Sequence, residues 1–302
     1  MKEALEAKLG PIASLRQLAG GASKEAWAVD LADGTELLVR RASVGVIHRD
    51  TLTLEQEFKV LEAAVAAGVA APRPIEYLGD VEGHEAFAME RVRGETIGRR
   101  IVRNPPPGLP EQLAEQVARI HTVEPLDFLP RGDVIRRFYD ELDSVGEAHP
   151  AIEYGLLWVR ERLRPPETTT FCHGDFRIGN VAVDEHGLVS VLDWEFAHVG
   201  DPVEDVAWPI VRAWRFGADD RRLGGVGEVE PYLERYNELT GRDVTSEELE
   251  VWEVLGNVKW AIGCLTQCRR HLNGQDRSVE YAVLGRLAAE MEYELLHLIE
   301  HA

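Results

Sequence analysis

Asp175 sits in the most chemically loaded stretch of the sequence. Phe171-Cys172-His173-Gly174-Asp175-Phe176-Arg177-Ile178-Gly179-Asn180 brings a carboxylate, a guanidinium and a side-chain amide together, and Leu192-Asp193-Trp194-Glu195 follows with two more carboxylates. Phosphoryl transfer asks little covalent help of a protein. It needs a carboxylate to orient or deprotonate the attacking hydroxyl, a metal to hold phosphates, and cations for the charge on the transferred group. Asp175 can supply the first. The amide oxygen of Asn180 and the carboxylate of Asp193 are hard oxygen donors that suit Mg²⁺, which takes the rest of its shell from water and phosphate. Arg177, two residues past Asp175, can point to the same side of an extended loop, where its guanidinium can neutralise a γ-phosphate. Plainer readings stand beside these: a turn Asp commonly caps backbone N–H groups, and Asn180 before a strand can be a turn residue tolerating left-handed geometry. His173 reads as structural, because the base role is already filled. Asp201 and Asp205 read as helix capping and loop bracing, with Pro202 at a first helical position.

Elements must hold these residues in place. Leu15 to Ala42 reads as three strands with turns at Gly20-Gly21 and Asp33-Gly34, the latter a strong hairpin signal. Leu54, Phe58, Leu61 and Val65 then fall at helical spacing within Leu52 to Ala66, and Pro72 and Pro74 end the helix. Ile75 to Leu78 and Ala86 to Val92 read as two further strands around a turn at Gly79 to Gly83. After Gly94 the character changes: the Pro-rich run 104–110 leads into a mainly helical region, interrupted at Thr168 to Ala197 by a second hairpin about Asp184-Glu185-His186-Gly187. Thr245 with Glu248 forms a capping-box pattern, and Leu284, Leu287, Met291, Leu295 and Leu298 make a late apolar stripe. The expected architecture is α+β, with a small antiparallel sheet and one main helix in residues 1–92 and a larger helical part in residues 93–302.

Composition narrows the partners. The 302 residues carry 33 Lys and Arg against 53 Asp and Glu, a net charge of -20 that repels polyanions, so nucleic acid is not expected and a nucleotide site needs its own local cations. No stretch approaches the ~20 apolar residues of a membrane span, and the expected location is cytoplasmic. The three cysteines, Cys172, Cys264 and Cys268, read as reduced and packed.

The His-Gly-Asp, four residues, Asn pattern of His173 to Asn180 resembles the catalytic loop of the aminoglycoside phosphotransferase family, a branch of the protein-kinase-like superfamily. Leu192 to Glu195 resembles that family's metal-binding Asp segment, and Gly200-Asp201-Pro202-Val203-Glu204-Asp205 the run that follows it; the likeness covers nearly the whole chain. It implies a two-lobed protein-kinase-like fold, Asp175 as base, Asn180 and Asp193 as Mg²⁺ ligands, and ATP as donor, with GTP left open. It also implies a loop over the phosphates at Gly20 to Glu25, in which Ser23 could reach the β-phosphate, and an inter-lobe connection at Met89 to Val92, where the backbone of Glu90 and Val92 would meet the base. The strand lysine usual in the family is missing. Arg40 stands where alternation from Leu38 directs a side chain inward, with Glu57 as its expected helix partner and Glu55 as the competing choice. Arg40-Arg41 and the run Gln267 to Gly274 resemble the branch linked to acyl-CoA dehydrogenases. Arg269, Arg270 and His271 in that run read as an exposed helix end or a local anion site.

The expected function is therefore transfer of a γ-phosphoryl group to a hydroxyl of a small molecule, whether aminoglycoside-like, amino alcohol, sugar or hydroxyacyl compound. The alternative is a catalytically silent nucleotide-binding module. Protein kinase activity is disfavoured, because no Ala-Pro-Glu-like segment follows Asp193. Trp208, Trp214 and Phe216, with several acids, would either line the acceptor pocket or simply pack in the core.

Overall fold

The computed structural model describes residues 1–18, 24–42, 51–275 and 278–302. Of the loop expected over the phosphates, Gly20 to Glu25, the part up to and including Ser23 lies outside the described residues. Helix α1 (Lys2–Leu9) precedes strands β1 (Ile12–Leu18), β2 (Lys24–Leu31) and β3 (Glu36–Ala42), helix α2 (Leu54–Ala66), and strands β4 (Pro74–Val81) and β5 (His84–Glu90). The strands form one sheet in the order β1-β2-β3-β5-β4, with every neighbouring pair antiparallel. Period-two alternation gives the sheet two different faces. Leu37, Val39, Ala86 and Ala88 pack with Leu5 of α1, whereas Leu38 and Phe87 face α2 and join the main core. Arg40, two residues after Leu38, lies on the α2 side, as alternation required.

Helix α2 starts at a full capping box, with Thr53 accepting from Gln56 and Gln56 returning the bond. Glu85 of β5 accepts the Leu54 and Glu55 N–H groups as well, so the helix that carries Glu57 is pinned to the sheet at its first turn.

After β5 the chain runs through α3 (Gly98–Arg103), α4 (Leu109–Ile120), α5 (Val134–Val145) and α6 (Pro150–Arg162). It then forms β6 (Thr170–Cys172), the hairpin β7 (Val181–Asp184) and β8 (Gly187–Val191), and β9 (His198–Gly200), and ends in α7 (Pro202–Ala207), α8 (Val229–Thr240), α9 (Ser246–Leu272) and α10 (Val279–His301). Side chains of α2 and of the helical half belong to one buried cluster, so the two halves share a core. The segment after β5 is fastened to the hairpin by paired backbone bonds between Glu95 and Val183.

Several details differ from the sequence reading, among them β5, which spans His84–Glu90 where Ala86 to Val92 was expected. α1 and α3 form where no element was expected. Both are short, and α1 buries a single leucine, so neither writes a helical stripe. β4 runs through Gly79 to Val81, which read as turn, because bulges in its register absorb the glycine; the turn is confined to Glu82-Gly83. β2 begins at Lys24, two residues before the alternating run, with consequences for the site.

Candidate active site

The loop after β6 is held from below. Asp205 of α7 accepts the N–H groups of both His173 and Gly174, the latter at 2.8 Å. Burial would raise the Asp205 carboxyl, but the His121 imidazole, whose Nε2 lies 3.5 Å away, outweighs that and holds it below the usual range. The His173 ring is fully buried. Its Nδ1 accepts from the Asp175 N–H at 3.1 Å and its Nε2 donates to the Leu192 carbonyl at 3.0 Å, tying the Asp175 loop to the residue before Asp193. Burial lowers the pKa of this imidazole, which suits a neutral ring with one donor and one acceptor nitrogen. Gly174 has φ +79°, and a Cβ there would lie 2.4 Å from the Phe196 carbonyl oxygen, so the loop needs glycine at this point.

The structure brings Asp175, Arg177 and Asn180 together. Asp175 Oδ1 accepts from Arg177 Nε at 3.0 Å and from Trp208 Nε1 at 2.7 Å; its Oδ2 accepts from Asn180 Nδ2 at 2.6 Å. The same Asn180 nitrogen donates to the Asp175 carbonyl, which turns the amide oxygen away from the loop. Asp193 sits at φ +67°, a left-handed backbone that costs energy outside glycine and recurs at functional sites. Its carboxylate is half-buried and accepts from Arg40 at 3.0 Å. Burial would raise its pKa, and Arg40 beside it more than reverses that. Asn180 and Asp193 thus present oxygen atoms only, a donor set that fits Mg²⁺ and does not select a softer metal.

Facing Asp193 is a chain of buried charges. Arg40 bridges Asp193 and Glu57 Oε1, the latter at 3.1 Å. Lys24 Nζ bonds Glu57 Oε2 at 2.6 Å and Glu195 Oε2 at 2.9 Å. Glu57, 1% exposed, is therefore the helix partner, while Glu55 lies on the surface paired with Lys59. The lysine absent from β3 has a counterpart one strand away: Ala26 pairs with Arg40 across the ladder, so Lys24, two residues on, shares Arg40's face. Sequence reasoning missed Lys24 because the loop reading of Gly20 to Glu25 swallowed it; alternation extended back from Ala26 would have found it. Burial lifts the Glu195 carboxyl above its usual range despite Lys24.

At the other expected positions, the Glu90 N–H donates to the Arg73 carbonyl at 2.9 Å and so is already engaged. Arg269, Arg270 and His271 occupy the last turn of α9, with Arg270 over the Tyr281 ring. Cys172, Cys264 and Cys268 are unpaired.

On the far side of Asp175 opens a pocket between α5, the loop and α9. Trp208 and Trp214 are both buried and line it, whereas Phe216 packs at Gly98 instead. Lys259, in the apolar middle of α9, donates to the Gly174 carbonyl at 2.7 Å and to Glu204 at 3.0 Å. Glu204 also meets His198 at 3.1 Å. Burial would raise Glu204, but Lys259 and His198 drive it well below its usual range. A cation inside the run Val251 to Leu265 was the available signal for Lys259.

A family model described as the phosphotransferase enzyme family matches residues 14–247. Among curated proteins, mouse (Mus musculus) acyl-CoA dehydrogenase family member 10 is 30% identical over 261 residues, covering 75% of this chain and 24% of that protein. Chicken (Gallus gallus) acyl-CoA dehydrogenase family member 11 is 28% identical over 220 residues, covering 65% and 27% respectively. The chain thus spans about a quarter of the length of these relatives. Among solved structures, a choline/ethanolamine kinase family protein from Mesorhizobium loti superposes with TM-score 0.71 at 17% identity, over 99% of this chain and 93% of that one. Aminoglycoside phosphotransferase APH(4)-Ia, solved with AMP-PNP and hygromycin B, gives TM-score 0.69 at 19% identity over 98% and 97%. These likenesses establish the two-lobed kinase-like fold.

Proposed function

Because the chain belongs to the phosphotransferase enzyme family, we propose that it transfers the γ-phosphoryl group of ATP, with Mg²⁺, to a hydroxyl of a small molecule. The observation that carries this reading is the placement of one carboxylate: Asp175 lines the pocket, with Arg177 and Trp208 bonded to one oxygen and Asn180 to the other, so that about one lone-pair site is left for an acceptor. An acceptor hydroxyl in that pocket would donate to Asp175. As its oxygen bonds the γ-phosphorus and the bond to the β–γ bridging oxygen breaks, its proton passes to Asp175 and ADP leaves.

The remaining residues divide the supporting work. Asn180 and Asp193 would hold Mg²⁺, which when bound neutralises and orients the phosphates. Arg40, and Lys24 beside it, would face the phosphates as the local cations that a chain of net charge -20 needs. Residues 1–92 would form the nucleotide lobe and residues 93–302 the acceptor lobe, with the Glu90 carbonyl and the Val92 N–H meeting the adenine edge. Backbone contacts of that kind do not read side chains, so GTP stays open as a donor. Arg177 would support the transferred charge from the acceptor side.

One observation favours a second reading. Arg40 occupies Asp193 in an ion pair that would have to yield to the metal, and a silent nucleotide-binding module would keep it closed. Calorimetric titration with ATP separates the two. Binding should need Mg²⁺ and weaken by about tenfold or more in Asp193→Asn, the cost of one charge-assisted contact. ATP binding that ignores both Mg²⁺ and this substitution would refute the catalytic reading.

A further inference from the structure

Resting on that phosphotransferase reading, we infer that the acceptor is an alcohol with an apolar body and an anionic group, bound through Arg137, and not an amine. The pocket beside Asp175 is walled by Phe138, Phe196, Trp208, Trp214 and Trp260, which calls for an apolar body. An ammonium-bearing acceptor would need available carboxylates or bare indole faces. Two of the three indoles already carry a cation: Lys259 Nζ lies 4.3 Å over the Trp208 ring and the Arg177 guanidinium 4.2 Å over Trp214, against which Trp260 packs at 4.8 Å between ring centroids.

The wall's acids are engaged as well. Glu204 is bound by Lys259 at 3.0 Å and His198 at 3.1 Å. Asp175 is bound by Arg177, Trp208 and Asn180, which leaves about one lone-pair site, taken by the reacting hydroxyl. Glu141, one turn along α5, stands 3.9 Å from Arg137 Nε.

Arg137 is the most loosely held of the pocket's cations: it meets Glu141 in an ion pair at 3.9 Å, beyond hydrogen-bond reach. Its Nε is buried and lacks a hydrogen-bond partner among the described residues, its guanidinium rests 4.9 Å over the Phe138 ring, and its side chain is 30% exposed at the pocket. A planar guanidinium held on an aromatic ring with donors to spare matches a carboxylate or similar oxyanion. The setting matters as well: in a chain of net charge -20, Arg137, Arg177 and Lys259 offset the wall's Glu141, Asp175 and Glu204 one for one, so the field that would repel an anion elsewhere is locally cancelled.

Three medium-chain alcohols with a common alkyl body, ending in a carboxylate, a hydroxyl or an ammonium, test the inference through ADP release by the full chain. The carboxylate should have the lowest KM. Arg137→Gln should raise that KM about tenfold or more while leaving the KM of the diol within about twofold and that of ATP unchanged, because only the charge-assisted contact is lost. Preference for the ammonium compound, an equal rise for the diol, or transfer to none of the three while Mg-ATP still binds would overturn the acceptor class and leave the phosphotransferase reading standing. Failure of Mg-ATP to bind would defeat that reading, and this inference with it.

Discussion

Asp201 shows how a single residue of the site's support can be costly and still be retained. It caps α7 by accepting the Val203 N–H at 2.9 Å. Burial raises its pKa from 3.8 to about 6, with Glu204 and Glu248 adding to the rise and the capping bond opposing it. Between those values the folded chain holds a proton that the unfolded chain has released, so stability falls as pH rises through the window and levels off above it. Asp201→Asn keeps an equivalent capping oxygen and removes the charge. It should stabilise the protein by about 1–3 kcal/mol at pH 7.5 and by almost nothing at pH 4, read from urea midpoints. Equal effects at both pH values would mean that the charge is not the cause. At this scale much was legible: Asp175, Arg177, Asn180, Asp193, Arg40 and Glu57 stand where a loop pattern and strand alternation put them. Lys24, Lys259 and Arg137 were not, because a cation's value depends on which carboxylate or ring lies across from it, and those partners are distant in sequence.

The elements contribute by fixing the loop rather than by reacting. The short α7 exists in this fold as a platform: Pro202 and Asp201 start it, and Asp205, one turn later, receives two loop amides. An asparagine there can accept one N–H and would turn its own N–H₂ toward the other. Asp205→Asn should therefore cost about 2–3 kcal/mol in urea unfolding and lower kcat more than it weakens ATP binding, because residues 1–92, the proposed nucleotide lobe, are untouched. A variant with full turnover would show that the loop holds its shape without Asp205. The hairpins and α2 could be read from Asp-Gly and His-Gly turns and from a four-residue stripe. α1, α3 and the bulged end of β4 could not, since a helix that buries one side chain and a strand that absorbs a glycine leave no period to find.

At the scale of the whole molecule, two halves with a shared core meet at the charges on which the proposed chemistry depends. Lys24 and Arg40 come from the sheet, Glu57 from α2, and Asp193 and Glu195 from beyond the hairpin, so the chain of ion pairs spans both halves. Removing one member of such a buried set leaves the others uncompensated, which ties the integrity of this charged wall to the closure of the fold. The loop of Asp175 faces that wall on one side and the aromatic pocket on the other, a layout suited to passing a group between two bound molecules. Phosphorus NMR of a mixture of the protein, Mg-ATP and an acceptor alcohol tests this most directly, with Asp175→Asn run alongside. The account predicts a new phosphomonoester resonance growing as ATP turns to ADP, and at least about a hundredfold slower growth in the variant. ATP converted only to ADP and inorganic phosphate, or ester formed equally fast by Asp175→Asn, would contradict it.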